Sequence, residues 1–185
     1  MIKLFEQDVL VLDAQTESPE KFSMLEKAKD LANAINLTMV KAKLMDEEEG
    51  EGWSQEYTDH VERLYRRYLC MTFLNPKRSY VPTRDLDLFW HQHILDTRAY
   101  AEDCQNIFGY FLHHFPYFGM RGEEDAKDLL NSFEMTKKTY AHLFGEDYCS
   151  VFKTENATTC HRCSNQCKKC SSGCGGVSCT TCKNK

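Results

Sequence analysis

The chain has 185 residues, 42% of them hydrophobic and 12% aromatic, with a net charge of −5 and a pI near 5.8. That is globular material for one domain plus an appendage, and it excludes collagen-like and wholly disordered classes. No apolar run is long enough to span a bilayer. The start, Met1-Ile2-Lys3-Leu4-Phe5-Glu6-Gln7-Asp8, lacks the pattern of a secretory signal, and the acidic balance argues against a general nucleic-acid binder.

The short apolar run Val9-Leu10-Val11-Leu12 reads as a strand, and Ser18-Pro19-Glu20 opens a helix. Phe22, Leu25, Ala28, Leu31, Ala32 and Ile35 follow at helical spacing. Asp46 to Gly52 is an acidic surface turn. A second helix begins at Ser54, carries the stripe Val61, Leu64, Tyr65, Tyr68, Leu69 and Phe73, and stops at Asn75-Pro76. The third starts after Val81-Pro82-Thr83. The fourth starts at Asp96-Thr97 and runs through Tyr100, Cys104, Ile107, Phe108 and Phe111 to a stop before Pro116. The fifth spans Glu123 to Phe144, with acids in its first turn and Gly145 beyond its end. The expected fold class is all-α, a compact bundle of about five helices with antiparallel neighbours.

From about Ser150 the composition changes. Residues 151–185 hold six Lys/Arg against Glu155 alone, a balance of +5 that leaves −10 on residues 1–150. Seven of the ten cysteines lie there, and no aromatic residue follows Phe152. Such a segment cannot offset its ordering entropy by burial. Two units are therefore expected: a helical domain over 1–150 and a Cys-rich basic tail over 151–185.

Two features carry chemistry. The first is a set of histidines, His91 and His93 with Asp96 near the end of one helix, and His113 and His114 expected at the end of the next. His91 and His93 lie about 200° apart on a helix, so both cannot face one point. His93 and Asp96 share a face, as do Asp87 and His91. The ligand sets this predicts are His93/Asp96 with His113 or His114, or Asp87/His91 with the same partners. Imidazole and carboxylate suit zinc or iron, and three protein ligands leave a position open to water. The alternative is a packed, hydrogen-bonded corner with no ion. Cys104 sits at core spacing and reads as a small hydrophobe. Asp103 lies one position off that stripe, able to orient a histidine on the His91 side.

The segments Tyr65-Arg66-Arg67-Tyr68-Leu69, Asp87-Leu88-Phe89-Trp90-His91-Gln92-His93-Ile94-Leu95-Asp96-Thr97, Asp103-Cys104 and His113-His114-Phe115-Pro116-Tyr117-Phe118-Gly119 resemble the glycine-rich domain-containing protein-like family, over about residues 54–145. The resemblance implies a domain found in plants and in small bacterial proteins, with no established reaction. Plant members are larger, are associated with development and stress responses, and some were proposed to touch RNA. This chain has only nine glycines, and cysteines stand where a glycine-rich region would follow, so those roles do not carry over.

The second feature is the tail. Cys160, Cys163, Cys167, Cys170, Cys174, Cys179 and Cys182 include three Cys-x2-Cys pairs, the outer two separated by 15 residues as in four-thiolate zinc sites. With His161 they make eight ligands, enough for two tetrahedral zinc ions. An odd cysteine count weighs against a disulfide framework, whereas a metallothionein-like tail and a tail that is itself modified stay open. Lys168-Lys169 make only a weak case for nucleic acid.

The leading expectation is a soluble, cytoplasmic metal-binding protein with zinc in the tail and zinc or iron in the body. An enzyme on this plan would use a metal-bound water with a histidine or Asp96 as base, for hydrolysis or an oxidation. The opposing class is a non-enzymatic interaction module whose tail engages a protein partner.

Overall fold

The computed structural model describes residues 19–150. The strand expected at Val9–Leu12 and the tail ligands Cys160, His161, Cys163, Cys167, Cys170, Cys174, Cys179 and Cys182 lie outside the described residues. Within them are α1 (Pro19–Ala34), α2 (Thr38–Met45), α3 (Gln55–Leu74), α4 (Arg84–Leu95), α5 (Thr97–Phe108) and α6 (Glu123–Phe144), and no strand. The all-α bundle is the observed architecture, with six helices where the sequence suggested five. No described helix is long and apolar enough to cross a membrane.

Helix α3 is the centre, packing against α1, α2, α4 and α6. Ser54 caps it by accepting from the Tyr57 amide at 3.2 Å. Its buried positions Val61, Leu64, Tyr65, Tyr68, Leu69 and Thr72 recur every three or four residues, a stripe wide enough to meet several neighbours. Arg66, on the next face, donates to the Ala32 carbonyl and to the Ile35 carbonyl at 3.1 Å, and is held by Glu62 at 2.6 Å. It thereby satisfies carbonyls at the end of α1 that have no partner within that helix.

The additional helix, α2, buries only Val40 and Leu44 and has no side-chain cap. Eight residues with two core contacts give too weak a periodicity to stand out, and packing on α3 and α4 supplies what propensity does not. The acidic run after it is an ordered turn. Asp46 accepts from the Glu48 amide at 3.0 Å and the Glu49 amide at 2.6 Å. These bonds hold its carboxyl below the usual range.

Two boundaries bear on the site. Asp96 ends α4 and caps α5, its carboxylate accepting from the Ala99 amide at 3.4 Å, which makes a tight corner between the two helices. Helix α5 then stops at Phe108, earlier than the Phe111–Pro116 limit expected from the sequence. Gly109 adopts φ 74°, a left-handed conformation that ends the helix before the apolar stripe runs out. His113 and His114 therefore lie in a non-helical segment rather than at the helix end expected from the sequence.

Replacing Arg66 with Met is expected to cost about 2 kcal/mol, because buried carbonyls lose charge-assisted donors, read as a lower urea midpoint with new proteolytic cleavage around residues 33–37. Residues 1–150 alone are expected to unfold cooperatively on heating, since the apolar stripes all lie upstream of Ser150; a non-cooperative melt would refute this.

Candidate metal centre

Helix α4 presents two different faces. Leu86, Phe89, Trp90 and His93 form its buried stripe, so His93 occupies a core position at 2% exposure. Its Nδ1 lies 2.8 Å from the Tyr65 hydroxyl and its Nε2 lies 3.1 Å from an Asp103 carboxylate oxygen. A neutral imidazole satisfies both contacts: Nε2–H donates to Asp103, and Nδ1 accepts from the Tyr65 O–H. With both ring nitrogens engaged and Asp96 capping α5, the structure does not bring the His93/Asp96 set to a common point with His113 or His114. Asp103 orients a histidine as anticipated, but that histidine is His93 rather than His91. Tyr65 is the partner that sequence reasoning missed. The stripe 86, 89, 90, 93 marks His93 as a core residue, whereas its pairing with Tyr65, 28 residues away, has no local signal.

The opposite face carries Asp87 and His91, one turn apart. His114 Nε2 lies 2.9 Å from Asp87 Oδ1, and His91 Nε2 lies 3.8 Å from Asp87 Oδ2. The two imidazole rings meet at 4.5 Å between centroids. One ligand atom from each of Asp87, His91 and His114 falls within 4.8 Å of the others, which makes them a group able to hold a metal ion. The three are half-buried, and Asp87 adds to the burial that pushes the Tyr68 phenol upward. His113 points elsewhere, exposed and against the Phe111 ring at 4.9 Å.

What holds His114 beside α4 is a buried hydroxyl. Trp90 Nε1 donates to Tyr100 Oη at 2.9 Å, and Tyr100 in turn donates to the Leu112 carbonyl at 2.6 Å. This fixes the segment after α5 two residues before His114, whose ring then rests edge-on against Trp90 at 4.7 Å. Further along, Asp125 accepts from the Gly119 amide at 2.6 Å and the Arg121 amide at 3.1 Å. The Arg121 guanidinium and these amides draw its carboxyl down to about 2. Cys104 is buried beside Tyr100, and burial pushes its thiol up, so it is a packing residue and not a nucleophile.

Burial holds the His93 imidazole below the usual histidine value and the Asp103 carboxyl above its own. The depressed histidine favours the fold fully above about 6.5 and withdraws that contribution as pH falls through its folded value. Asp103 acts in the opposite sense, costing stability as pH rises through its raised value. Thermal unfolding compared between pH 7 and pH 5 is expected to show a larger acid loss in the parent than in His93→Gln, which keeps a hydrogen-bonding side chain but cannot titrate. Equal losses would contradict the neutral assignment.

The family model described as UCP032817-like matches residues 28–141, which takes in α3, α4, α5, the histidine segment and most of α6. Over 88 residues the chain is 33% identical to glycine-rich domain-containing protein 1 of Arabidopsis thaliana, a match covering 45% of this chain and 10% of the plant protein. The chain thus spans only a small part of the curated relative it matches. No solved structure matches it. With the match extending over well more than half of its length and over the whole candidate centre, this chain belongs to the UCP032817-like family, as its resemblance to glycine-rich domain-containing proteins implied.

Proposed function

We propose that this chain is a metal-binding protein with two kinds of site, a body site at Asp87, His91 and His114 and thiolate sites in the tail. The observation that carries the reading is the convergence of two imidazoles and one carboxylate, donor atoms within 4.8 Å, from α4 and the segment after α5. Two histidines with a carboxylate are a donor set suited to zinc or to iron(II), and three protein ligands leave open positions for water or a ligand. An ion here would replace the hydrogen bond that His114 now makes to Asp87. In the tail, Cys160, His161, Cys163, Cys167, Cys170, Cys174, Cys179 and Cys182 supply enough donors for two tetrahedral zinc ions, and coordination would be that segment's main source of order.

The experiment is elemental analysis of the full chain, followed by cobalt substitution. Thiolate sites give intense sulfur-to-cobalt charge-transfer absorption, whereas a histidine–carboxylate site gives only weaker visible bands. Cysteine-to-serine changes across the tail are expected to remove the first signal and leave the second. The double substitution His91→Ala with His114→Ala is expected to remove the second, with one equivalent of metal lost and helical content retained. Substituting His93 and His113 instead should leave the metal in place if the protein remains folded. Unchanged metal content in the His91/His114 variant would reduce the body cluster to a carboxylate that ties the His114 segment to α4.

A further inference from the structure

A cleft of about 520 Å³ opens beside the Asp87–His114 pair, between the 76–82 segment, the start of α4 and the 112–121 segment. That is the size of small-molecule sites. Its charge is opposite to that of the body around it. Arg78, Arg84 and Arg121 line it, and Asp87 is its single lining carboxylate, whereas residues 1–150 as a whole carry −10. Asp87 is itself already engaged by His114. Arg84 reaches Asp85 only at 3.7 Å, and Arg78 has no ion pair among the described residues. Arg121, bonded to Asp125 at 2.6 Å, lies over the Phe115 ring at 5.0 Å.

Aromatic rings make up much of the remaining lining, alongside prolines and aliphatic side chains. Trp90, Phe115, Phe118 and Phe133 contribute to it, and Phe115 stands 52% exposed at the rim. Guanidinium groups beside ring faces suit a ligand that has a charged head and a flat apolar body. The head would take paired N–H donors, and the body would remove the exposed Phe115 ring from water. A neutral ligand of the same shape would desolvate the arginines and give them no partner.

We propose that this cleft binds a small organic anion, with a carboxylate or phosphate head held by Arg78, Arg84 and Arg121 and an aromatic body lying against Phe115 and its neighbours. The proposal goes beyond the metal reading and does not need an ion. Its test uses the full chain with chelator present, so that a failure of the metal site leaves the result untouched. Phenyl phosphate and benzoate are titrated as probes, with inorganic phosphate and benzyl alcohol as controls, by calorimetry and by following the two indole N–H resonances. An aromatic anion is expected to bind more tightly than either control and to move the Trp90 resonance while leaving that of Trp53. Arg78→Gln removes a guanidinium that makes no ion pair among the described residues, and it should weaken binding about tenfold, the scale of one charge-assisted contact. The proposal is overturned if neither anion moves Trp90, if a control binds as tightly, or if Arg78→Gln and Arg121→Gln both bind unchanged.

Discussion

The Tyr100 hydroxyl is the atom on which the functional face depends. It is buried between α4, α5 and the segment that follows, and it accepts from Trp90 while donating to the Leu112 carbonyl. A buried hydroxyl and a buried indole N–H are costly unless paired, and this arrangement pairs both while also satisfying a backbone carbonyl in irregular chain. The same two bonds fix how the chain returns after α5. Without them nothing helical would bring His114 to Asp87, because α5 has already ended at Gly109.

Helix α4 separates structural from candidate functional chemistry by rotation alone. Two histidines two residues apart point in nearly opposite directions, so one enters the core and the other faces out. His93 becomes the middle of a buried chain from Tyr65 to Asp103, linking α3 to α5 through α4. His91 and Asp87 stay half-buried beside the 112–121 segment, where Asp87 meets His114. The buried chain holds the helix in register, and the half-buried pair inherits its precision from that packing.

The non-helical segments around the cleft are themselves tied down. The Val81 amide donates to Thr136 at 3.0 Å, and the Val81 carbonyl accepts from Tyr148 at 3.1 Å. Asp125 holds the turn around Gly119, where a Cβ would come within 2.5 Å of the Leu129 side chain. Irregular backbone carrying polar and aromatic side chains is thus anchored on a helical scaffold, the arrangement in which binding residues most often occur.

The sequence by itself determined the helical class and the positions of α1, α3, α4 and α6, because their stripes are long; local caps also mark the starts of α3, α4 and α5, where Ser54, Thr83 and Asp96 each bond an amide within three residues. It also determined that His91 and His93 could not share a ligand sphere, since that follows from 3.6 residues per turn. The sequence left open which of the two histidines faces His114, and tertiary structure decided it by burying the 86, 89, 90, 93 stripe. That choice rests on the packing of Leu86, Phe89 and Trp90 and on the Tyr65–His93–Asp103 contacts, whose members lie 28 and 10 residues apart. Helix α2 was equally a tertiary outcome, since it is only eight residues long and only Val40 and Leu44 in it are buried, too few to set a clear period. The early stop of α5 turned on one glycine taking positive φ inside a continuing apolar pattern, and the path beyond it was set by the carbonyl that Tyr100 binds, a contact no periodicity encodes.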